Sequence, residues 1–339
     1  MIGSPGPCLE RLIFEDFGLL KKSEIVYHFM IKLFTQYNVD QPPQNVMQYY
    51  TICRIMKVAI VTGGNKGVGF GICRGLAKAF DGDVLLTARN EERGMNAVKE
   101  LEKEGLTVKF HLLDINDPKS VGALAAFIKE KYGGIDVLVN NAAIAFKQAA
   151  TEPFALQAKV TIATNYFSVQ DCCNQLFPLL RSGARVVNVS SMAGFLGLIK
   201  GADLKSKFAS SGSTLTYEVL DGLMKDFVDS ANTGDHAAKG WPNSTYVVSK
   251  VGLSAMTRIQ QQKVSEDSSL KDVAINHVHP GYVDTDMSSH KGHLSIDEGA
   301  KSALFAATLP PNTEVKGQYI WSDCQIIDWV NGPCPGWSS

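Results

Sequence analysis

The chain has 339 residues, 45% hydrophobic and 20% charged, the balance of a globular protein with enough apolar surface for a substantial core. With 33 basic against 34 acidic residues it carries no global charge to hold nucleic acid or an anionic membrane, and no apolar run approaches the roughly 18 residues of a membrane span. Its seven cysteines are odd in number, Cys172 and Cys173 are adjacent, and no Cys-x-x-Cys spacing occurs, so free thiols in a reducing, cytoplasmic setting are expected, with no structural metal.

Residues 1–55 differ in pattern from the rest of the chain. Ile25, Val26, Phe29, Met30, Leu33 and Tyr37 stand at helical spacing behind Ser23, a candidate N-cap, and Pro42 and Pro43 mark a linker. Glu10, Glu15, Asp16, Glu24 and Asp40 argue against an Arg-rich mitochondrial leader, and the pattern of a signal peptide is missing. A partner-binding or membrane-surface helix is one reading of the segment. The preferred one is a poorly ordered extension outside the mature protein, because Met56 sits immediately before the first core strand.

From Met56 onward, strands and helices alternate. Residues 57–71 read as a β-branched strand, a glycine turn and the start of a helix. Gly63, Gly67 and Gly69 leave the backbone bare where a pyrophosphate would approach the free N–H groups of a helix N-terminus, so a dinucleotide is the expected cofactor. Further strands are expected at 84–88, 108–113, 137–140, 185–189, 273–278 and 318–321. Helices are expected at 91–104, 118–131, 153–180, 245–262 and 296–307. The pattern is that of an α/β, Rossmann-like, doubly wound parallel sheet of about seven strands, with residues 56–339 as a single domain.

The end of the second strand selects between dinucleotides, since a carboxylate there accepts from a ribose hydroxyl and an arginine pairs with a 2′-phosphate. Here it reads Thr87-Ala88-Arg89-Asn90. Arg89, with Lys66 and Arg93, favours NADPH. Further on, Tyr246-Val-Val-Ser-Lys250 places a phenol and an ammonium on one helical face. The cation, together with an oxidised nicotinamide, is expected to draw the tyrosine pKa toward neutrality and fit it for general-acid work.

These motifs, together with Thr62-Gly-Gly-Asn-Lys-Gly67, Asn140-Asn-Ala-Ala143, Thr164-Asn-Tyr-Phe167, Asn188-Val-Ser-Ser-Met192 and Pro280-Gly281 followed by Thr285, resemble the short-chain dehydrogenase/reductase family in their order. The resemblance implies that Ser191 hydrogen-bonds a substrate carbonyl, Tyr246 donates the proton, Lys250 binds the nicotinamide ribose, and Asn165 anchors a relay water. It implies that Asp114 holds the adenine amino group, although a helix-capping role stays open beside Asp117. Asn65, Val68, Ile115, Asn141 and Val283 complete the implied cofactor contacts. Ala143 stands where the family has glycine.

The segment between Ser191 and Tyr246 is long, and within 197–242 it carries Leu215, Val219, Leu220, Leu223, Met224, Phe227 and Val228 at helical spacing. An inserted helical subdomain there looks like the monomeric carbonyl reductases of the family, as do Gly240-Trp-Pro242 and Leu309-Pro-Pro311. The resemblance implies a monomer that reduces quinones, aromatic ketones and aldehydes, or keto-prostaglandins. It further implies a glutathione subsite at Phe146, Lys147, Gln148 and Gln157, with Ser191 and Tyr282 facing the substrate. His279 and Tyr282 depart from the group, where cysteine and tryptophan are expected. His277, His279, His290 and His293 do not assemble a convincing ligand set, so no metal is expected. Two further functions stay open: an alcohol dehydrogenase working oxidatively, and a non-catalytic NADPH-binding protein, which the intact Asn165, Ser191, Tyr246 and Lys250 disfavour.

Overall fold

The computed structural model describes residues 56–147 and 149–335. The chain divides into two compact units, Met1–Met56 and Lys57–Ser339. The helix expected at 23–37 and the linker after it lie outside the described residues.

Within Lys57–Ser339 the elements run β1 (Val58–Val61), α1 (Gly67–Ala79), β2 (Asp83–Ala88), α2 (Glu91–Lys103), β3 (Lys109–Leu112), α3 (Pro118–Lys131) and β4 (Ile135–Asn140). They continue with α4 (Phe154–Ile162), α5 (Ser168–Leu176), β5 (Leu180–Val189), α6 (Ala202–Ala209), α7 (Tyr217–Thr233) and α8 (Thr245–Glu266). The chain then forms β6 (Ala274–Val278), α9 (Ile296–Ala307), β7 (Tyr319–Ile320) and β8 (Ile326–Ile327). The sheet order is β3-β2-β1-β4-β5-β6-β7-β8, parallel throughout except for the antiparallel β7–β8 pair.

The β1 strand Val-Ala-Ile-Val is buried on both faces because alternate side chains feed two cores. Val58 and Ile60 join the core under α3, α4, α5 and α8, which includes Val121, Leu124, Ile162, Val169 and Val248. Ala59 and Val61 join the core under α1, α2 and α9, which includes Ile72, Leu76, Leu101, Ala300 and Ala303. The strand order reverses at β1, between β2 and β4, and this places the first glycine turn at the carboxyl-end crevice where such sheets bind ligands.

Several boundaries differ from the sequence expectation. The helix expected at 153–180 is broken: α4 passes into a single π turn, Ala163–Phe167, before α5, and a 3₁₀ turn at Phe177–Leu179 ends it around Pro178. Ser168 Oγ donates to the Ala163 carbonyl across the widened turn. The fifth strand starts at Leu180 rather than 185, through a register shift against Ile135–Asn140 and a left-handed Gly183. The two-residue β8 went unrecognised because its apolar run is too short to carry a period.

The insertion is helical, as α6 and α7. Leu220, Leu223, Met224 and Phe227 are buried on α7, whereas Val219 is 48% exposed and lies off that face. Asp221 ties α7 to the π turn and α5, accepting from Tyr166 Oη at 2.7 Å and Gln170 Nε2 at 3.0 Å. Thr216 caps α7 at its start and Gly234, left-handed at φ 81°, ends it.

Candidate active site

At the first crevice, α1 begins without a side-chain cap or an acidic residue in its first turn, so its N–H groups and positive dipole end stay available to an anion. Gly67 holds φ +55°, and a Cβ on Gly69 would fall 2.4 Å from the Gly63 carbonyl, so both glycines are required by the turn itself. The turn is stapled to the end of β4. Thr62 Oγ1 accepts from the Asn141 and Ala142 N–H groups at 2.9 Å, and Asn141 Nδ2 donates to the Thr62 and Gly63 carbonyls at 2.9 and 3.1 Å. The Asn141 amide is thus committed to shaping the loop.

Arg89 and Arg93 are exposed and have no ion-pair partner among the described residues. Lys66 Nζ is paired at 2.7 Å with Asp286, in the loop that also carries Thr285. Asp114 Oδ1 accepts from the Asn116 N–H at 2.9 Å, and Asp117 takes the α3 cap by accepting from Lys119, which leaves Asp114 outside the capping role. Ile115 is buried beside it. Val283 packs its side chain against Gly299 of α9, so only its backbone can face the crevice.

The catalytic candidates meet at the ends of β5 and α8. The Ser191 side chain faces Tyr246 closely enough to draw its phenol pKa downward. Lys250, 2% exposed, donates to the Val189 carbonyl at 2.8 Å and stands 5.7 Å from the Tyr246 ring centroid. Asn165, on the π turn, accepts from the Ile144 N–H and donates to the Ile144 carbonyl, both at 2.9 Å, and donates to Ser249 Oγ at 3.1 Å. With both of its donors spent, only the second lone pair on Oδ1 is left for a relay water.

Burial governs the charge states of the protein groups here. Burial pushes the Tyr246 phenol above the ordinary tyrosine value, with Ser191 pulling it partly back, and burial lowers Lys250 to about 7. Desolvation disfavours the charged form of each group, and Nζ rests on a backbone carbonyl instead of the phenol oxygen.

Behind Ser191 lies a set of contacts that no motif spacing announces. Tyr319 Oη donates to the Ser191 carbonyl at 2.5 Å, Trp329 Nε1 donates to the Gly194 carbonyl at 2.7 Å, and His279 Nδ1 accepts from the Met192 N–H at 2.9 Å. A buried polar ladder runs from Asn140 through Asn188 to Thr257 and Gln260, tying β4, β5 and α8 together. His277 is fully buried, stacked on the Tyr319 ring at 4.7 Å and edge-on to Trp329 at 5.9 Å. A run of polar residues inside apolar strands and helices was the available signal for the ladder; nothing foretold Tyr319 or Trp329.

The residues implied for glutathione are described only in part. Lys147 is exposed, Phe146 half-buried, Gln157 Nε2 is spent on the Glu152 carbonyl at 2.9 Å, and Gln148 lies outside the described residues. Tyr282 is 48% exposed, its ring 6.0 Å from that of His293. Ala143 and Pro280 border the crevice, half-buried, and Asn65 lies in the glycine turn. Cys73, Cys172, Cys173, Cys324 and Cys334 are free thiols.

Residues 57–217 match the model of the short chain dehydrogenase family. Carbonyl reductase (NADPH) 1 of Rattus norvegicus is 46% identical over 274 residues, covering 80% of this chain and 98% of the relative. Carbonyl reductase (NADPH) 3 of Mus musculus is 45% identical over 266 residues, covering 78% and 95%. Among solved structures, salutaridine reductase from Papaver somniferum superposes with a TM-score of 0.70 at 29% identity, over 79% of this chain and all of that one. The chain belongs to the short-chain dehydrogenase/reductase family, with carbonyl reductases among its near relatives.

Proposed function

We propose that this chain is an NADPH-dependent oxidoreductase that reduces ketones, aldehydes and quinones to alcohols. The observation that carries the reading is the meeting of Ser191, just past the end of β5, with Tyr246 and Lys250 of α8. The cofactor fits the residues present: α1 is uncapped, and Arg89 and Arg93 stand unpaired for a 2′-phosphate. NADPH supplies the hydride when bound. Ser191 Oγ donates to the substrate carbonyl oxygen and stabilises the charge developing there. Tyr246, held protonated by burial, gives its Oη proton to that oxygen. Lys250 binds the nicotinamide ribose from beneath the tyrosine ring, and Asn165 holds the loop at Ile144 and a relay water.

Aromatic ketones, quinones and keto-prostaglandins are the substrate classes we propose, with Tyr282 facing the substrate. A glutathione subsite would draw on Phe146, Lys147, Gln148 and Gln157, as the resemblance implies. Residues 56–339 form the working domain, a cytoplasmic monomer with the helical insertion of 197–242 covering one flank, and residues 1–55 are dispensable for chemistry.

The test is NADPH oxidation followed by absorbance, with menadione as substrate, comparing wild type with Tyr246→Phe. Loss of at least about a hundredfold in kcat in the variant, with NADPH binding retained, is the expected result. NADPH binding without turnover of any quinone, ketone or aldehyde by wild type overturns the reading.

A further inference from the structure

We infer that His279 is a positioning residue for this reaction: one ring nitrogen holds the Ser191 turn and the Pro280–Gly281 loop in a fixed relation. His279 Nδ1 accepts from the Met192 N–H at 2.9 Å and from the Gly281 N–H at 3.3 Å. The first donor follows Ser191 directly; the second lies in the loop proposed to carry the nicotinamide. A single acceptor thereby joins the group that polarises the carbonyl to the loop that places the hydride. Accepting at Nδ1 fixes the neutral ring with its proton on Nε2.

The ring itself is locked from several sides. It packs on Trp321 with centroids 4.3 Å apart, the His279 N–H donates to the Ile320 carbonyl at 2.8 Å, and Ser302 Oγ of α9 donates to the His279 carbonyl at 3.0 Å. Tyr319 of β7 and Trp329, in the turn after β8, hold the flanking Ser191 and Gly194 carbonyls, so backbone groups on both sides of Met192 are fixed by side chains from the C-terminal stretch. Burial lowers the imidazole to about 4, which keeps Nδ1 an acceptor through the neutral range. Loss of this acceptor leaves the Met192 and Gly281 N–H groups without their partner and lets the two loops drift apart, and displacements near 1 Å cost rates heavily.

The inference rests on the proposed carbonyl reduction, and its test has one readout that does not depend on turnover. In His279→Leu, amide hydrogen exchange at Met192 and Gly281 should accelerate, and kcat should fall at least about tenfold while the NADPH Kd stays within about threefold. His279→Asn, whose Oδ1 lies near the position of Nδ1, should recover most of both. Tyr319→Phe, which removes only the hydroxyl on Ser191, should also lower kcat, and it stands in if the leucine variant fails to fold. Unchanged exchange at both amides in His279→Leu, wild-type kcat in His279→Leu or Tyr319→Phe, or equal damage in the leucine and asparagine variants overturns the inference. A wild-type protein that turns over no carbonyl refutes the proposed function instead, and the exchange measurement still decides whether His279 couples the loops.

Discussion

Burial without a charged partner sets the behaviour of the two histidines at the end of β6. His277 is fully buried among Tyr319 and Trp329, and burial together with the nearby Arg258 holds it well below the ordinary histidine value; burial alone lowers His279 to about 4. In the unfolded chain both titrate near 6.5, so between 6.5 and about 4 the unfolded state binds more protons than the folded one. Their contribution is fully present above pH 6.5 and is lost as pH falls toward 4. His277→Phe keeps the stack on Tyr319 and removes one titrating group. Urea midpoints at pH 7 and pH 5 should therefore show the variant gaining on wild type at the lower pH, by up to about 2 kcal/mol. A gap that does not change with pH would show that His277 is protonated equally in both states. The sequence displayed the alternation of His277 and His279 but not their surroundings, because Tyr319, Trp321 and Trp329 reach them only through the strand order.

Among the elements, the π turn at Ala163–Phe167 is the feature that periodicity conceals. An apolar spacing that suits one long helix also suits two short helices joined by one extra residue, so the expected helix was right in its residues and wrong in its continuity. The widened turn carries Asn165, and the next residue, the buried Tyr166, hands its hydroxyl to Asp221 of the insertion. The insertion was legible from Leu220, Leu223, Met224 and Phe227; Asp221, which no apolar spacing singles out, is its polar anchor. Removing that carboxylate by Asp221→Ala leaves the Tyr166 hydroxyl buried without an acceptor. Chemical denaturation should show a loss of about 1–3 kcal/mol, with Asp221→Asn losing less because its amide oxygen still accepts. Equal stability of the alanine variant and wild type would mean that α7 is held by apolar packing alone.

On the scale of the molecule, the alternation of strands and helices specified the parallel sheet because both faces of β1 are lined by alternate side chains of one apolar run, a pattern open to sequence reading. The candidate site was legible wherever its residues sit in short fixed spacings, such as Tyr246 to Lys250. It was not legible where the fold brings in Tyr319, Trp329 or the Asn140–Asn188 ladder from far along the chain. Both cores and every described candidate residue fall within Lys57–Ser339, so a protein beginning at Met56 should fold and respond to cofactor as the full chain does. Binding to the folded state alone stabilises by mass action, about 2.7 kcal/mol at a hundredfold excess over Kd. Thermal unfolding of the full-length and truncated proteins, with and without NADPH, should give the same ligand-induced rise in Tm for both, and a smaller rise with NADH because Arg89 and Arg93 then lack a phosphate to pair with. A rise confined to the full-length protein would assign residues 1–55 a part in building the cofactor site.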